Sequence, residues 1–123
     1  MKITSVNAAV ISKNALCVLN FYEENFGMEI RHKTVFDSGL APLSAMFTMG
    51  NDAGARFDIL QLEGDGADLY GMRVNVDYFE EAYETYKALG YAAISGPALA
   101  ESSMTAVLTK EGCAPIVLVQ HQK

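Results

Sequence analysis

Basic side chains are scarce in this chain: 9 Lys and Arg stand against 15 Asp and Glu over 123 residues, a formal charge of −6. Affinity for nucleic acid rests on neutralising phosphates with Lys and Arg, and anionic membranes are held by polybasic runs, so both are poor partners for this sequence. Cysteine is scarcer still. Cys17 and Cys113 form no disulfide framework, and neither lies in a Cys-x-x-Cys motif, so reduced thiols are expected. Long apolar runs are missing too. The charge-free stretches 3–12 and 14–22 fall well short of the roughly 18 apolar residues of a spanning helix. Ser5 and Asn7 interrupt the first stretch, which leaves no signal-peptide core. A cytoplasmic protein without a transmembrane segment is the expectation. With 20% charged and 50% hydrophobic residues, six Phe and six Tyr, the chain is too apolar for disorder and long enough to bury a core without disulfides or a structural metal. That length suits one domain.

What is present is regular patterning. Residues 3–12 are rich in Ile and Val and stop at Lys13-Asn14, the mark of a first strand. A helix is expected next, capped by Asn14, with Leu16, Leu19, Tyr22 and Phe26 as an apolar stripe opposite Asn20, Glu23 and Glu24, and with Gly27 closing it. Strands follow over 28–36, 43–49 and 56–63. A turn at Asp37-Ser38-Gly39 and a hairpin over 50–54 join them, and Gly64-Asp65-Gly66 ends the run. The same order then returns. Residues 69–76 read as a strand, and Asp77 with Glu80 as a capping-box-like helix start. Phe79, Ala82, Tyr83, Tyr86 and Leu89 make the buried stripe, Glu80, Glu81, Glu84 and Lys87 the wet face, and Gly90 the end. Short strands are expected over 91–94, 104–110 and 115–121.

The recurrence can be checked by position. Gly27 and Gly90 are 63 residues apart, as are Asn14 and Asp77. Asp58-Ile59-Leu60-Gln61 and Val117-Leu118-Val119-Gln120 match at an offset of 59, so the halves differ only by a few loop residues. Two tandem βαβββ modules, about 1–64 and 67–123, are therefore expected within the single domain.

Two segments carry a family resemblance. Asn20-Phe21-Tyr22-Glu23-Glu24-Asn25-Phe26-Gly27-Met28-Glu29-Ile30 resembles the F-Y-x-x-x-L-G-F-x-x signature of the vicinal oxygen chelate superfamily of glyoxalases, bleomycin-resistance proteins and extradiol dioxygenases, with Phe26 in place of the usual Leu. Val74-Asn75-Val76-Asp77-Tyr78-Phe79-Glu80-Glu81-Ala82-Tyr83, with Gly90 and Gly96-Pro97 downstream, is similar to the second-module pattern of the same family. The resemblance implies an α+β fold in which two βαβββ modules form curled mixed sheets around a cleft, commonly in a homodimer.

Strand alternation says which side chains would face that cleft. If Met72, Val74 and Val76 pack on the second helix, then Gly71, Arg73 and Asn75 point the other way. The same counting adds Asn7, Ala9 and Ile11, then Asp58, Leu60 and Leu62, then Val117 and Val119. An arginine on that face would clamp a carboxylate or phosphate bidentately, or pair with Asp58 across the sheet. The candidate ligand-binding residues are thus Arg73, Asp58, Asn7, Tyr70 and Asn75, with Asp58 or Tyr70 as acid or base should the protein be catalytic. Cys17, inside the helix pattern, reads as a small buried residue, and His32 and His121 read as surface or edge histidines.

Metal-dependent members of the superfamily place His, Gln or Glu at one point on each of two opening and two closing strands. The resemblance carries those points to Asn7, Asp58, Gly71 (or Tyr70) and Val117. A catalytic divalent metal normally takes three protein ligands with N, O or S donors, and here only Asp58 offers a strong one. This sequence departs from the chelating pattern, and no cofactor is expected. One reading is a metal-free small-molecule-binding protein similar to the bleomycin-resistance branch. The other is an enzyme of the same fold, either a metal-dependent glyoxalase-like lyase, isomerase or dioxygenase, or a metal-free one. An acidic surface favours a cationic guest and Arg73 an anionic one, so the sequence leaves the ligand open.

Overall fold

The computed structural model describes residues 2–36, 42–64, 67–100 and 103–121. The expected turn at Asp37-Ser38-Gly39, and Asp65-Gly66 of the expected break, lie outside the described residues. The elements are β1 (Ile3–Ser12), α1 (Ala15–Phe26), β2 (Glu29–Val35), β3 (Leu43–Gly50), β4 (Arg56–Leu62), β5 (Leu69–Val76), α2 (Phe79–Ala88), β6 (Ala92–Ala100), β7 (Ser103–Thr109) and β8 (Ile116–His121). The order βαβββ occurs twice, as the sequence pattern predicts. The eight strands form one curled mixed sheet in the order β2-β3-β4-β1-β5-β8-β7-β6. Its two halves join where β1 and β5 run antiparallel, with Asn7 opposite Arg73 and Ala9 opposite Gly71. Each half then adds its closing strand in parallel, β4 beside β1 and β8 beside β5. No helix among the described residues is long and apolar enough to cross a membrane.

Both helices lie on the outer side of the sheet, but the stripe of α1 is rotated from the expected one. Ala15 and Leu19 are buried, with Val18 and Tyr22 partly so, against Met28, Phe47, Met49 and Ile59. Leu16 is 62% exposed and Phe26 59% exposed. The spacing 15, 18, 19, 22 satisfies a 3.6-residue period as well as 16, 19, 22, 26 does, and the face that meets the sheet decides between them. The Phe26 ring instead stands against the rings of Phe21 and Tyr22, both at 5.6 Å between centroids. In α2, Phe79 and Ala82 are buried over Val74, Val76, Leu108 and Leu118, while Leu89 at 59% exposure falls outside the expected stripe. Met72, expected under α2, is 39% exposed, because it lies on the outer side where neither helix reaches.

The helix starts depart from expectation in the same way in both modules. Neither Asn14 nor the residue at the equivalent place before α2, Tyr78, makes a side-chain cap. The first amide of α1, Ala15 N, donates to Gln61 Oε1 on β4 at 3.0 Å, and the first amide of α2, Phe79 N, donates to Gln120 Oε1 on β8. A closing strand thus satisfies the donor that a helix leaves open, and ties the helix to the sheet. Asp77 instead accepts from the Lys2 amide at 2.6 Å. Gly27 closes α1 with φ 64°, a left-handed conformation that costs glycine little. The strand β6 runs on through residues 95–97, beyond the expected strand over 91–94, with register shifts on either side of Ser95. The inner, concave side of the sheet carries no helix among the described residues. Its apolar part joins Ile11, Met46, Leu60, Val107, Val117 and Val119, all at most 3% exposed.

Candidate functional site

The polar part of the concave side gathers around Arg73. Alternation along β5 puts Arg73 and Asn75 on that side, and the antiparallel seam puts Asn7 beside Arg73. Asp58 enters from β4, opposite Ala9 on one flank and Thr48 of β3 on the other. Its carboxylate is fully buried and accepts three hydrogen bonds: Thr48 Oγ1 at 2.6 Å and Arg73 Nη1 at 3.2 Å on Oδ1, and Asn7 Nδ2 at 3.2 Å on Oδ2. Arg73 is 7% exposed. Besides Asp58 it reaches Asn75 Oδ1 through Nε at 3.2 Å, Thr48 Oγ1 through Nη1 at 3.4 Å and His121 Nε2 through Nη2 at 3.1 Å. Arg73 and Asp58 form the cross-sheet ion pair, with Nη1 and Oδ1 3.2 Å apart.

The contact with Arg73 fixes the histidine chemistry. A guanidinium only donates, so His121 Nε2 must be the acceptor, Nδ1 must carry the proton, and Ser103 Oγ at 2.7 Å accepts it. Burial, then the nearby Arg73, then His32, hold the His121 pKa below the ordinary value, in keeping with a neutral ring. Ser103 therefore has no base in His121. Its own hydroxyl proton is left to donate elsewhere. Two places along β7, Thr105 stands on the same side of the sheet opposite Val119, and its buried hydroxyl has no hydrogen-bond partner among the described residues. At the rim of this cluster, Thr4, Asn75, Asp77, Tyr78, Gln120 and His121 line a cavity of about 550 Å³.

Four of the five expected residues come together: Asn7, Asp58, Arg73 and Asn75. Tyr70 does not. It alternates with Gly71 on β5, so it stands on the outer side, 68% exposed, far from any role as an acid or base beside Asp58. Cys17 is also corrected, being exposed, because the rotation of α1 turns it outward with Leu16. His121 is exposed as expected, but its contact with Arg73 was not read from the sequence. The signal was there: continuing the alternation of Val117 and Val119 by two residues puts His121 on the concave side. Thr48 was likewise two residues beyond Met46.

The sequence matches no family model, and no curated protein matches it. Solved structures do match. A Streptomyces coelicolor methylmalonyl-CoA epimerase in complex with 2-nitronate-propionyl-CoA superimposes with a TM-score of 0.65 at 14% identity, over 98% of this chain and 96% of that one. A Mycobacterium tuberculosis methylmalonyl-CoA epimerase gives 0.67 at 11%, over 98% and 90%. A hypothetical protein from Bacillus halodurans gives 0.63 at 12%, over 97% and 95%. Methylmalonyl-CoA epimerase is a member of the vicinal oxygen chelate superfamily. This chain has the vicinal oxygen chelate fold. At such identities the likeness extends to the fold alone.

Within that fold the donor set does not fit a divalent metal. Of the four corresponding points, Asn7 and Asp58 do meet, but both Asp58 oxygens already accept hydrogen bonds. Val117 is apolar. Gly71 leaves no room for a donor side chain, since a Cβ there would stand 2.1 Å from the Pro115 carbonyl oxygen. No group of three His, Cys, Asp or Glu side chains is gathered among the described residues. Nor is a free base evident in the cluster, since the Asp58 carboxylate and the His121 Nε2 lone pair are both engaged. What the arrangement offers is a fixed set of hydrogen-bonding groups beside an apolar floor, which is a chemistry of recognition.

Proposed function

We propose that this chain is a small-molecule-binding protein that uses the concave side of its sheet and works without a divalent metal. The observation that carries this reading is the buried Arg73–Asp58 pair, ringed by Asn7, Thr48, Asn75 and His121 and opening on the cavity at Asn75. Such a cluster is expensive to bury and is rigid once satisfied, which suits a recognition surface. Because guanidinium and carboxylate neutralise each other, selectivity falls to the neutral groups around them. Solved methylmalonyl-CoA epimerases of this fold are in complex with 2-nitronate-propionyl-CoA or with methylmalonyl-CoA, so CoA esters are the first probes.

Calorimetric titration of untagged protein with propionyl-CoA, methylmalonyl-CoA and, as a cationic guest, bleomycin tests the proposal. Saturable binding of one probe, weakened at least tenfold, about 1.4 kcal/mol, in Asn75→Ala, is the expected result. Exchange of the methylmalonyl-CoA α-hydrogen with deuterated water, catalysed by the protein, would replace the binding reading with an enzymatic one. We also propose a homodimer. Val6 (51% exposed), Tyr70 (68%) and Met72 (39%) leave an apolar strip on the outer side of β1 and β5, a surface that a second copy would cover. Light scattering should return twice the 13.3 kDa chain mass, and a monomer mass at micromolar concentration would refute it.

A further inference from the structure

We propose that a groove on the outer side of the first module, between the start of α1 and the strands β2 and β3, is a second ligand site, suited to a monoanion with an apolar tail of the alkyl carboxylate class. Its volume of about 590 Å³ lies within the range of roughly 300–1,000 Å³ for small-molecule pockets. Strand register sets the floor: Val35 stands opposite Ala45 and Lys33 opposite Phe47, on the side of the sheet that carries α1. The rotation of α1 that buries Ala15 makes Leu16 and Cys17 the facing wall. Leu16 is 62% and Val35 59% exposed, so two aliphatic side chains line one groove in water. Lys13 and Lys33 also line it, and among the described residues neither ammonium is paired with a carboxylate. Lys33 Nζ instead lies 5.7 Å from the centroid of the Phe47 ring, which holds its charge over the apolar floor. Glu63 at the rim accepts from Ser44 Oγ at 3.1 Å. Two lysines against one glutamate leave the groove a single positive charge in a chain of net −6.

The second module shows that the groove is not a by-product of the βαβββ fold. Gln61 and Gln120 hold the first amides of the two helices, so Ala15 corresponds to Phe79, and with them Leu16 to Glu80, Leu19 to Tyr83 and Lys13 to Asp77. Phe47 pairs with Ile59 and Ala106 with Leu118, which puts Met104 at the place of Ala45. The matching groove, lined by Phe79, Glu80, Tyr83, Glu84, Pro97 and Met104, measures only about 170 Å³. The rings of Phe79 and Tyr83, stacked at 5.7 Å, line it where the first module has the smaller Ala15 and Leu19. Acids stand at the places of Leu16 and Lys13. Volume, apolar wall and charge therefore differ together, and in the first module all three favour an anion with an apolar tail. This groove lies on the opposite side of the sheet from Arg73, so it goes beyond the concave-side reading.

The test is calorimetric titration of the untagged chain with decanoate and with decyltrimethylammonium, a tail of the same length on a cationic head. Alkylation of Cys17 and Cys113 by N-ethylmaleimide, read by mass spectrometry, locates the ligand. Decanoate should bind saturably, one per chain, and at about ten times its Kd should slow alkylation of Cys17 about tenfold while leaving Cys113, also exposed, unchanged. Leu16→Glu, which installs the second module's residue at an exposed position, and Lys33→Ala should each weaken binding at least about tenfold with the cooperative melt preserved. Binding that Asn75→Ala weakens and Leu16→Glu does not would place decanoate on the concave side and overturn the inference. So would absence of saturable binding, equal affinity for decyltrimethylammonium, or an unprotected Cys17. A mass halved by Leu16→Glu in light scattering would make the groove a contact between copies and overturn it as well.

Discussion

Removing Arg73 should destabilise the fold by about 3 kcal/mol, at the lower end of the range for breaking a buried ion pair. The side chains of the pair are 8% and 0% exposed, with Nη1 and Oδ1 3.2 Å apart. At an effective dielectric constant of about 20, two unit charges at that separation attract by roughly 5 kcal/mol, a gain comparable to the several kcal/mol needed to desolvate each ion. The intact pair is therefore nearly neutral against an apolar replacement, whereas a single substitution strands one charge. In Arg73→Ala the Asp58 carboxylate keeps its bonds from Thr48 and Asn7, which holds the loss near the lower end. Asp58→Asn should cost a similar amount, because the guanidinium keeps Thr48, Asn75 and His121 but no anion. The double substitution Arg73→Ala/Asp58→Asn should lose at least about 2 kcal/mol less than the sum of the two singles. Urea unfolding gives these values, and a 3 kcal/mol loss should lower the melting midpoint by roughly 10 °C in a chain of this size. A loss under about 1 kcal/mol in Arg73→Ala, or strict additivity in the double variant, would refute the claim that the two charges depend on each other.

Gln61→Ala and Gln120→Ala should each lower urea-unfolding stability by about 1 kcal/mol by orphaning a helix amide, while Asn14→Ala, which removes no cap, should change it by less than about 0.5 kcal/mol. Gly71→Ala should cost about 1–3 kcal/mol by the same measurement, since its Cβ would press on the Pro115 carbonyl and force β5 and β8 apart. For His121 the folded pKa lies below the unfolded one, so the unfolded chain takes up a proton first as pH falls. The contribution is fully present above about pH 6.5 and is lost as pH drops through the lower folded value. Urea midpoints of wild type should fall over that interval more steeply than those of His121→Gln, and parallel curves would remove His121 as the cause.

Much of the fold was legible because its elements follow local rules. The strands over 3–12 and 69–76 and the helix end at Gly27 were readable from residue type and period alone. The helix starts were not. Their caps come from Gln61 and Gln120, which are 46 and 41 residues away in the chain, and no window around Asn14 or Asp77 contains them. The rotation of α1 was hidden for a related reason, since two apolar stripes fit its sequence and only the sheet beneath selects Ala15 over Leu16. At the site, alternation placed Asn7, Asp58, Arg73 and Asn75 on one face because a strand has no freedom to do otherwise. Tyr70 entered through an allowed slip of one residue, and period two makes such a slip a change of face.

The division of the cluster between modules explains why neither half of the repeat reveals it alone. Asp58 and Val117 occupy matching places, as the offset of 59 shows, yet one is a buried carboxylate and the other a buried aliphatic side chain. The first module supplies Asn7, Thr48 and Asp58. The second supplies Arg73, with Asn75 and His121 to hold it. A buried carboxylate without its cation is strongly disfavoured, so the charge on Asp58 is tolerable only because the β1–β5 seam brings Arg73 within 3.2 Å. Divergence at matching positions thus makes the two modules dependent on each other. It also places the polar cluster at the seam, where β1 and β5 meet, while the aliphatic side chains of Ile11, Leu60, Val107 and Val117 form the apolar floor beside it.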